Sequence, residues 1–284
     1  MNAFFKNITL LAPVLRVHSL SKVRRFYSDV LGFKEISATE NRVEFSASGK
    51  KPALLILEED AQAPEPPRGS AGLFHLAFLY PDRASLALIL RRLLNTHYPL
   101  QGSADHGVSE AIYLADPEGN GLELYADREP DLWPRRGMAL AMFTEALDFE
   151  NLLATSAESA LNYTMPAGTR LGHIHLCVSK VDAAELFYGE KLGFKVQQKM
   201  PSALFMGRDG YHHHLGANVW QSNRPAVPGS RGLVKFKIAF SLAEEFEECV
   251  KNFADKVSSQ DVLKHASVLL DFDGIGVELE KADV

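Results

Sequence analysis

Two blocks of this chain repeat one another at fixed offsets, and that duplication limits its fold more than any other feature. Phe26-Tyr27 followed by Leu31-Gly32-Phe33 recurs as Phe187-Tyr188 followed by Leu192-Gly193-Phe194. Each copy ends a helical stretch, 21–31 or 180–192, whose glycine suits the left-handed residue that closes a helix. A strand pattern precedes each helix and three more follow it. A second block opens with Gly72-Leu73 and again with Gly232-Leu233, continues through helices near 83–96 and 241–254, and ends in DPEGNGLEL at 116–124 against DFDGIGVEL at 271–279. The glycines there suit the hairpin turn before a last strand. Such repetition predicts an α+β chain of four tandem βαβββ modules, at 9–58, 70–126, 169–221 and 230–281, paired into two curved mixed sheets. Residues 1–126 hold two modules, 127–168 a connector with a short helix near 144–153, and 169–284 the other two.

Composition narrows the setting. Hydrophobic residues at 46% and charged residues at 23% are those of a globular chain. The formal net charge of −6 gives no general attraction to nucleic acid or to an anionic membrane. The sequence contains no apolar run long enough for a membrane span, and its N-terminus shows no cleavage site of the secretory type. Two cysteines, Cys177 and Cys249, make no disulfide framework. These readings predict a cytoplasmic protein; a homo-oligomer is compatible with them, though no residue specifies one.

Strand alternation assigns the candidate site. In 173–178, Ile174, Leu176 and Val178 form the apolar row, so His173, His175 and Cys177 face the other way. In 74–79 the same reasoning leaves His75 and Ala77 opposite Phe74, Leu76 and Phe78. The last strand of module two buries Leu122 and Leu124 and turns Glu123 and Tyr125 to the second face. In module three, His214, Gly216, Asn218 and Trp220 share a face with His212. Imidazoles and a carboxylate thus gather on one side of repeated strands. Any one inward histidine would by itself be an ordinary hydrogen-bonded residue.

The segments GLFHLAF at 72–78, DHGVSEAIYLADPEGNGLELY at 105–125, LGHIHLCV at 171–178 and GYHHHLGANVW at 210–220 resemble the vicinal oxygen chelate superfamily, which holds glyoxalases, bleomycin resistance proteins and extradiol dioxygenases. Within it the chain is similar to the bacterial catechol-2,3-dioxygenase-like group with tandem modules, over nearly its whole length. The resemblance implies one divalent metal between two modules, held by residues of the first and last strand of each. Those positions are Ala12 and the 53–55 region in module one, His75 and Glu123 in module two, His173 and His214 in module three, and Lys235 and Glu278 in module four. If neighbouring modules pair, His75 and Glu123 stand alone and Glu278 joins His173 and His214 beside Lys235. If the central modules pair, His75, Glu123, His173 and His214 form one site, and Glu278 is left as the ion-pair partner of Lys235. The second arrangement uses more of the good ligands.

The implied cofactor is a divalent metal, Fe(II) first, with Mn(II), Ni(II) or Zn(II) also suited to imidazole and carboxylate ligands. The implied activity is an extradiol-type dioxygenase cleaving a catechol-like small aromatic substrate with dioxygen. His106, Tyr125 and His175 are the candidate catalytic residues: His106 for proton transfer, Tyr125 as a hydrogen bond to a bound phenolate, and His175 in support of His173. A third imidazole ligand would leave fewer open positions on the metal, which is closer to a glyoxalase-like isomerase or lyase. Ala12 and Lys235, which abandon ligand positions, keep a third reading in view, a non-catalytic protein that binds or sequesters a small molecule.

Overall fold

The computed structural model describes residues 5, 7–156, 160–253 and 268–282. Module one runs β1 (Ile8–Val17), α1 (Leu20–Arg25), β2 (Lys34–Ala38), β3 (Arg42–Ser46) and β4 (Leu55–Glu59). After the short strand β5 (Gly69–Ser70), module two runs β6 (Gly72–Leu79), α2 (Arg83–Asn95), β7 (Leu100–Asp105), β8 (Ser109–Ala115) and β9 (Gly121–Asp127). The connector holds a small hairpin of β10 (Arg135–Arg136) and β11 (Ala139–Leu140), then α3 (Phe149–Leu153). Module three runs β12 (Arg170–Cys177), α4 (Val181–Ala184), β13 (Lys195–Met200), β14 (Ala203–Gly207) and β15 (Leu215–Asn218), followed by β16 (Ser222–Arg224). Module four shows β17 (Gly232–Phe240), α5 (Ala243–Lys251), β18 (Val268–Leu270) and β19 (Gly276–Lys281). The expected end of its helix at 254 falls outside the described residues.

The strands form two large sheets. One has the order β18-β19-β17-β1-β4-β3-β2, the other β13-β14-β15-β12-β6-β9-β8-β7. Strands of modules one and four therefore share a sheet, as do those of modules two and three. Both are mixed: β17 runs antiparallel to β1 but parallel to β19, and β6 runs parallel to β9. A right-handed crossover helix is what such a parallel pair requires, and it explains why each first strand is followed by a helix.

By packing, the chain falls into two compact units: Val17–Gln62 with Phe74–Ile174, and Met1–Arg16 with Ala63–Leu73 and His175–Val284. In the first, the repeated phenylalanines form the core. Phe33 meets Phe78 with ring centroids 5.0 Å apart, and Tyr27 and Phe45 complete the cluster. In the second, Tyr188 stacks on Phe236, and Phe187 meets Phe253 at a tilt, with ring centroids 5.4 Å apart.

The repeated motifs act as paired structural parts. The helical stretches expected at 21–31 and 180–192 are present, but only their first part is α-helical: α1 and α4 widen into π turns at Phe26–Val30 and Glu185–Lys191. Leu31 N bonds back five residues to Phe26 O at 3.1 Å, and Leu192 N to Phe187 O at 3.2 Å. That closure places Gly32 and Gly193 at φ +71° and +76°, where a side chain would be strained. The aspartates of the second motif organise its turn: Asp116 Oδ1 accepts from Glu118 N and Asn120 N, and Asp271 Oδ1 from Asp273 N and Ile275 N. Tyr188 donates to Asp271 at 2.7 Å, and Tyr27 reaches Asp116 at 3.5 Å. The next acid in each turn then caps a helix of the preceding module. Glu118 accepts from His18 N and Ser19 N at 2.8 and 2.7 Å, and Asp273 from Ser179 N at 2.8 Å.

The connector differs from expectation at its helix. Asp148 caps α3 by accepting from Asn151 N, so the helix starts at Phe149, and residues 144–148 lie outside it. Asp105 and Glu145 exchange backbone hydrogen bonds of 2.9 Å in both directions.

Candidate metal centre

Three strands bring the buried polar residues together. β6 and β9 pair in parallel with Ala77 opposite Glu123 and Leu79 opposite Tyr125. His75 projects from β6, Glu123 from β9 and His173 from β12, on the face opposite their apolar neighbours. They are 6%, 3% and 1% exposed, too little for a carboxylate or imidazole to rely on solvent. Their tips converge. Glu123 Oε2 lies 2.9 Å from His75 Nε2 and 3.1 Å from His173 Nε2, and the two imidazole nitrogens are 3.3 Å apart. Among the described residues this is the group whose candidate ligand atoms all lie within 4.8 Å of one another.

Two glycines make the convergence possible. A Cβ on Gly121 would stand 2.1 Å from the Phe74 carbonyl oxygen, so only glycine lets β9 start this close to β6. A Cβ on Gly172 would stand 1.8 Å from the Tyr125 hydroxyl. Tyr125 therefore occupies the space beside His173, with ring centroids 5.0 Å apart.

Burial pushes Glu123 toward its neutral form, but His173 and His75 outweigh it and hold the carboxylate well below its ordinary range. Tyr113 stands directly opposite Glu123 in the β8–β9 ladder. Burial, the Glu123 charge and a hydrogen bond to Glu123 hold its phenol well above the ordinary tyrosine value. The Tyr113 hydroxyl is also 2.7 Å from His106 Nε2. Tyr113 is the residue that strand-by-strand reasoning missed. The signal was available, since pairing 113 with 123 across the hairpin centred near 118 puts them side by side.

A buried set of two imidazoles and one anionic carboxylate fits a divalent transition metal. All three donors are compatible with Fe(II), Mn(II), Ni(II) or Zn(II), and a bound cation would offset the carboxylate charge that burial otherwise penalises.

His214 does not belong to this group. Its Nδ1 accepts from Arg208 N at 3.2 Å, and its ring packs against Phe5, Phe194 and Tyr211. The reason is register. Tyr80 N donates to Tyr125 O in module two, and Val178 N donates to Asn218 O in module three. Asn218 is thus the counterpart of Tyr125, Gly216 of Glu123, and His214 of Gly121. The face was assigned correctly, but the counterpart of the carboxylate has no side chain. Its space is filled by the His175 ring, which a Cβ on Gly216 would meet at 2.8 Å. His175 is buried, with Nε2 3.0 Å from Asn218 Nδ2 and its ring near Phe205 and Trp220.

In module four the counterparts of His75 and Glu123 are Lys235 and Glu278. Lys235 Nζ lies 3.1 Å from Glu278 Oε2 and Lys237 Nζ 3.2 Å from Glu278 Oε1. Burial opposes the Glu278 charge, but the two ammonium groups hold its carboxyl below the ordinary value. In module one, Ala12 sits at φ +45° in a bulge of β1, between the register points Leu11–Lys237 and Val14–Lys235.

The chain is 41% identical over 239 residues to catechol-2,3-dioxygenase of Bacillus subtilis (strain 168), covering 82% of this chain and 83% of that protein. In fold it resembles the cppA protein of Streptococcus pneumoniae TIGR4 (TM-score 0.58, 12% identity, 98% and 99% of the two chains). It also resembles glyoxalase I of Zea mays (TM-score 0.56, 14% identity, 96% and 92%). Residues 9–124 and 170–263 match the family model described as Glyoxalase/Bleomycin resistance protein/Dioxygenase superfamily. With the duplicated modules, the buried His-Glu-His group and these matches together, the chain belongs to the glyoxalase/bleomycin resistance protein/dioxygenase superfamily.

Proposed function

We propose that this protein is a metal-dependent dioxygenase that opens a catechol-like aromatic ring beside, rather than between, its hydroxyls, with Fe(II) held by His75, Glu123 and His173. The observation that carries the reading is the convergence of two imidazoles and a single carboxylate in a buried site. Three protein donors would leave room on the metal for a diol and dioxygen, and iron held there would supply electron transfer between them. The name of the Bacillus subtilis relative, and likeness across most of both chains, support the same class.

The chain's own residues have definable tasks. Glu123 supplies one negative charge, and the imidazoles supply neutral donors. Tyr113 and His106 form a hydrogen-bonded pair next to Glu123 that can orient a substrate hydroxyl. Tyr125, beside His173, presents a second phenol to the same region. Burial of the three candidate ligands keeps competing water away. Gly216 at the fourth ligand position argues against the glyoxalase-like alternative, because among the described residues no second carboxylate joins the group to move a proton or fill the metal's coordination.

Purification without oxygen followed by metal analysis tests the site. About one iron per chain is expected, with loss on His173→Ala or Glu123→Gln. Oxygen uptake with simple catechols tests the activity. Iron-loaded protein that consumes no oxygen across a wide panel of catechols would sink the dioxygenase reading while leaving the metal site standing.

A further inference from the structure

Residues 141–145 of the connector lie along the end of β7. The Asp105–Glu145 backbone pair fixes one end, Phe143 N donates to His106 O at 3.4 Å, and Ala141 N donates to Pro134 O at 2.9 Å. The strap is anchored further by Trp133 Nε1, which donates to Arg128 O at 2.9 Å, and by Arg128, whose guanidinium pairs with Asp105 at 2.6 Å. Its Phe143 ring and Pro134 close over Gly107, where a Cβ would stand 2.5 Å from the ring and 2.8 Å from Pro134 Cγ.

This strap touches His106 through atoms whose roles are fixed by chemistry. Phe143 O is 3.0 Å from His106 Nδ1, and the Thr144 hydroxyl is 3.3 Å from the same nitrogen. A carbonyl only accepts, so a hydrogen bond to it needs the hydrogen on Nδ1, the tautomer in which Nε2 is the acceptor. Nε2 faces the Tyr113 hydroxyl at 2.7 Å. Tyr113 has one hydrogen and two acceptors, His106 Nε2 and the Glu123 carboxylate. Only one can be served at a time.

We propose that the strap at 141–145 is a positioning element for the reaction proposed above: the Phe143 carbonyl fixes His106 as an Nε2 acceptor, His106 draws the Tyr113 hydrogen to itself, and the Tyr113 oxygen is left to accept a hydrogen bond from a substrate hydroxyl. The inference rests on the metal-site reading for its consequence, but the hydrogen-bond arrangement stands apart from it. It also narrows the substrate to one that keeps a hydroxyl hydrogen on the side facing Tyr113. Replacing that hydroxyl with a methoxy group removes the donor and should cost binding.

Nitrogen-15 spectra of the histidine rings in the full chain test the arrangement directly. His106 should show a protonated Nδ1 and an unprotonated Nε2; the opposite tautomer would overturn the proposal whatever the enzyme does. Gly107→Val, which pushes the Phe143 ring aside, should abolish the tautomer preference. It should lower kcat/KM for catechol about tenfold, mainly through KM, the size expected for one lost hydrogen bond. Metal content should stay at the wild-type level. His106→Phe should show a similar loss, and the double variant no further loss, because both act through one contact. Additive losses, or a Gly107→Val enzyme with unchanged KM and a displaced tautomer, would overturn the role. Should Gly107→Val not fold, Phe143→Ala removes the ring that seats the strap and is read in the same way. Wild-type protein without metal or catechol activity would refute the site reading instead, and the ring spectra would still decide the tautomer.

Discussion

Adding one methyl group at Gly172 would drive a carbon into the space of the Tyr125 hydroxyl, next to His173. Gly172→Ala is therefore expected to displace one of the two and to lower metal affinity by about 10–100-fold, the range seen when ligand orientation is disturbed. Tyr125→Phe in the same chain should restore part of it; titration with a metal-sensitive dye measures both. The cysteines provide a contrasting case. Burial pushes the Cys177 and Cys249 thiols up to about 11, so almost no thiolate exists near neutral pH. Neither should react with a disulfide reagent at pH 8 in the native protein, and both should in denaturant. At this scale much was legible. His75, Glu123 and His173 could be found because alternation gives the face and the repeat gives the position along the strand. His214 failed because parity alone cannot say which residue of β15 corresponds to Glu123; that depends on a pairing between distant strands and on the longer loop at 208–214. Tyr113 escaped for a related reason, as its importance comes from the strand beside it.

Helices and turns carry the second layer of the repeat. The DPEGNG turn was readable as a hairpin, since its glycines and acids announce one. Its use as a cap was not, because Glu118 accepts from Ser19 N, 99 residues away in sequence. Helix termini leave backbone N–H groups without intrahelical partners, and α1 and α4 borrow a carboxylate from the following module. Glu118→Ala should destabilise the protein by about 1 kcal/mol, in line with other lost caps, while Glu118→Gln should cost less. Thermal melting of the metal-loaded protein at fixed metal concentration measures this. An unchanged midpoint in Glu118→Ala would mean that solvent satisfies those N–H groups equally well. The π turns were illegible for a different reason, because one residue's slip in helical pitch leaves the apolar pattern almost unaltered.

Across the whole molecule, the sharing of sheets by central and by outer modules could be favoured from ligand inventory, because that partition gathers more of the good donors than the neighbour pairing does. What the inventory could not supply is the environment of Glu278, which two lysines hold in its charged form. A carboxyl lowered in the folded state contributes stability above its unfolded value, and that contribution is lost as pH falls through the folded one. Wild type and Glu278→Gln should therefore differ in denaturant midpoint at neutral pH and converge on acidification below the ordinary carboxylate range. Metal content should be the same in both proteins. If Glu278→Gln instead loses metal, the outer sheet holds a ligand and the assignment of the centre to His75, Glu123 and His173 is wrong.

Lys235 and Lys237 are tethered to the backbone, whereas a metal ion can leave. Their neutralisation of Glu278 thus obeys no mass action: it cannot be diluted away, stripped by a chelator or starved by a poor growth medium. On the metal-site reading proposed above, one sheet would answer to metal supply, whereas the other carries the positive charge in its own covalent structure.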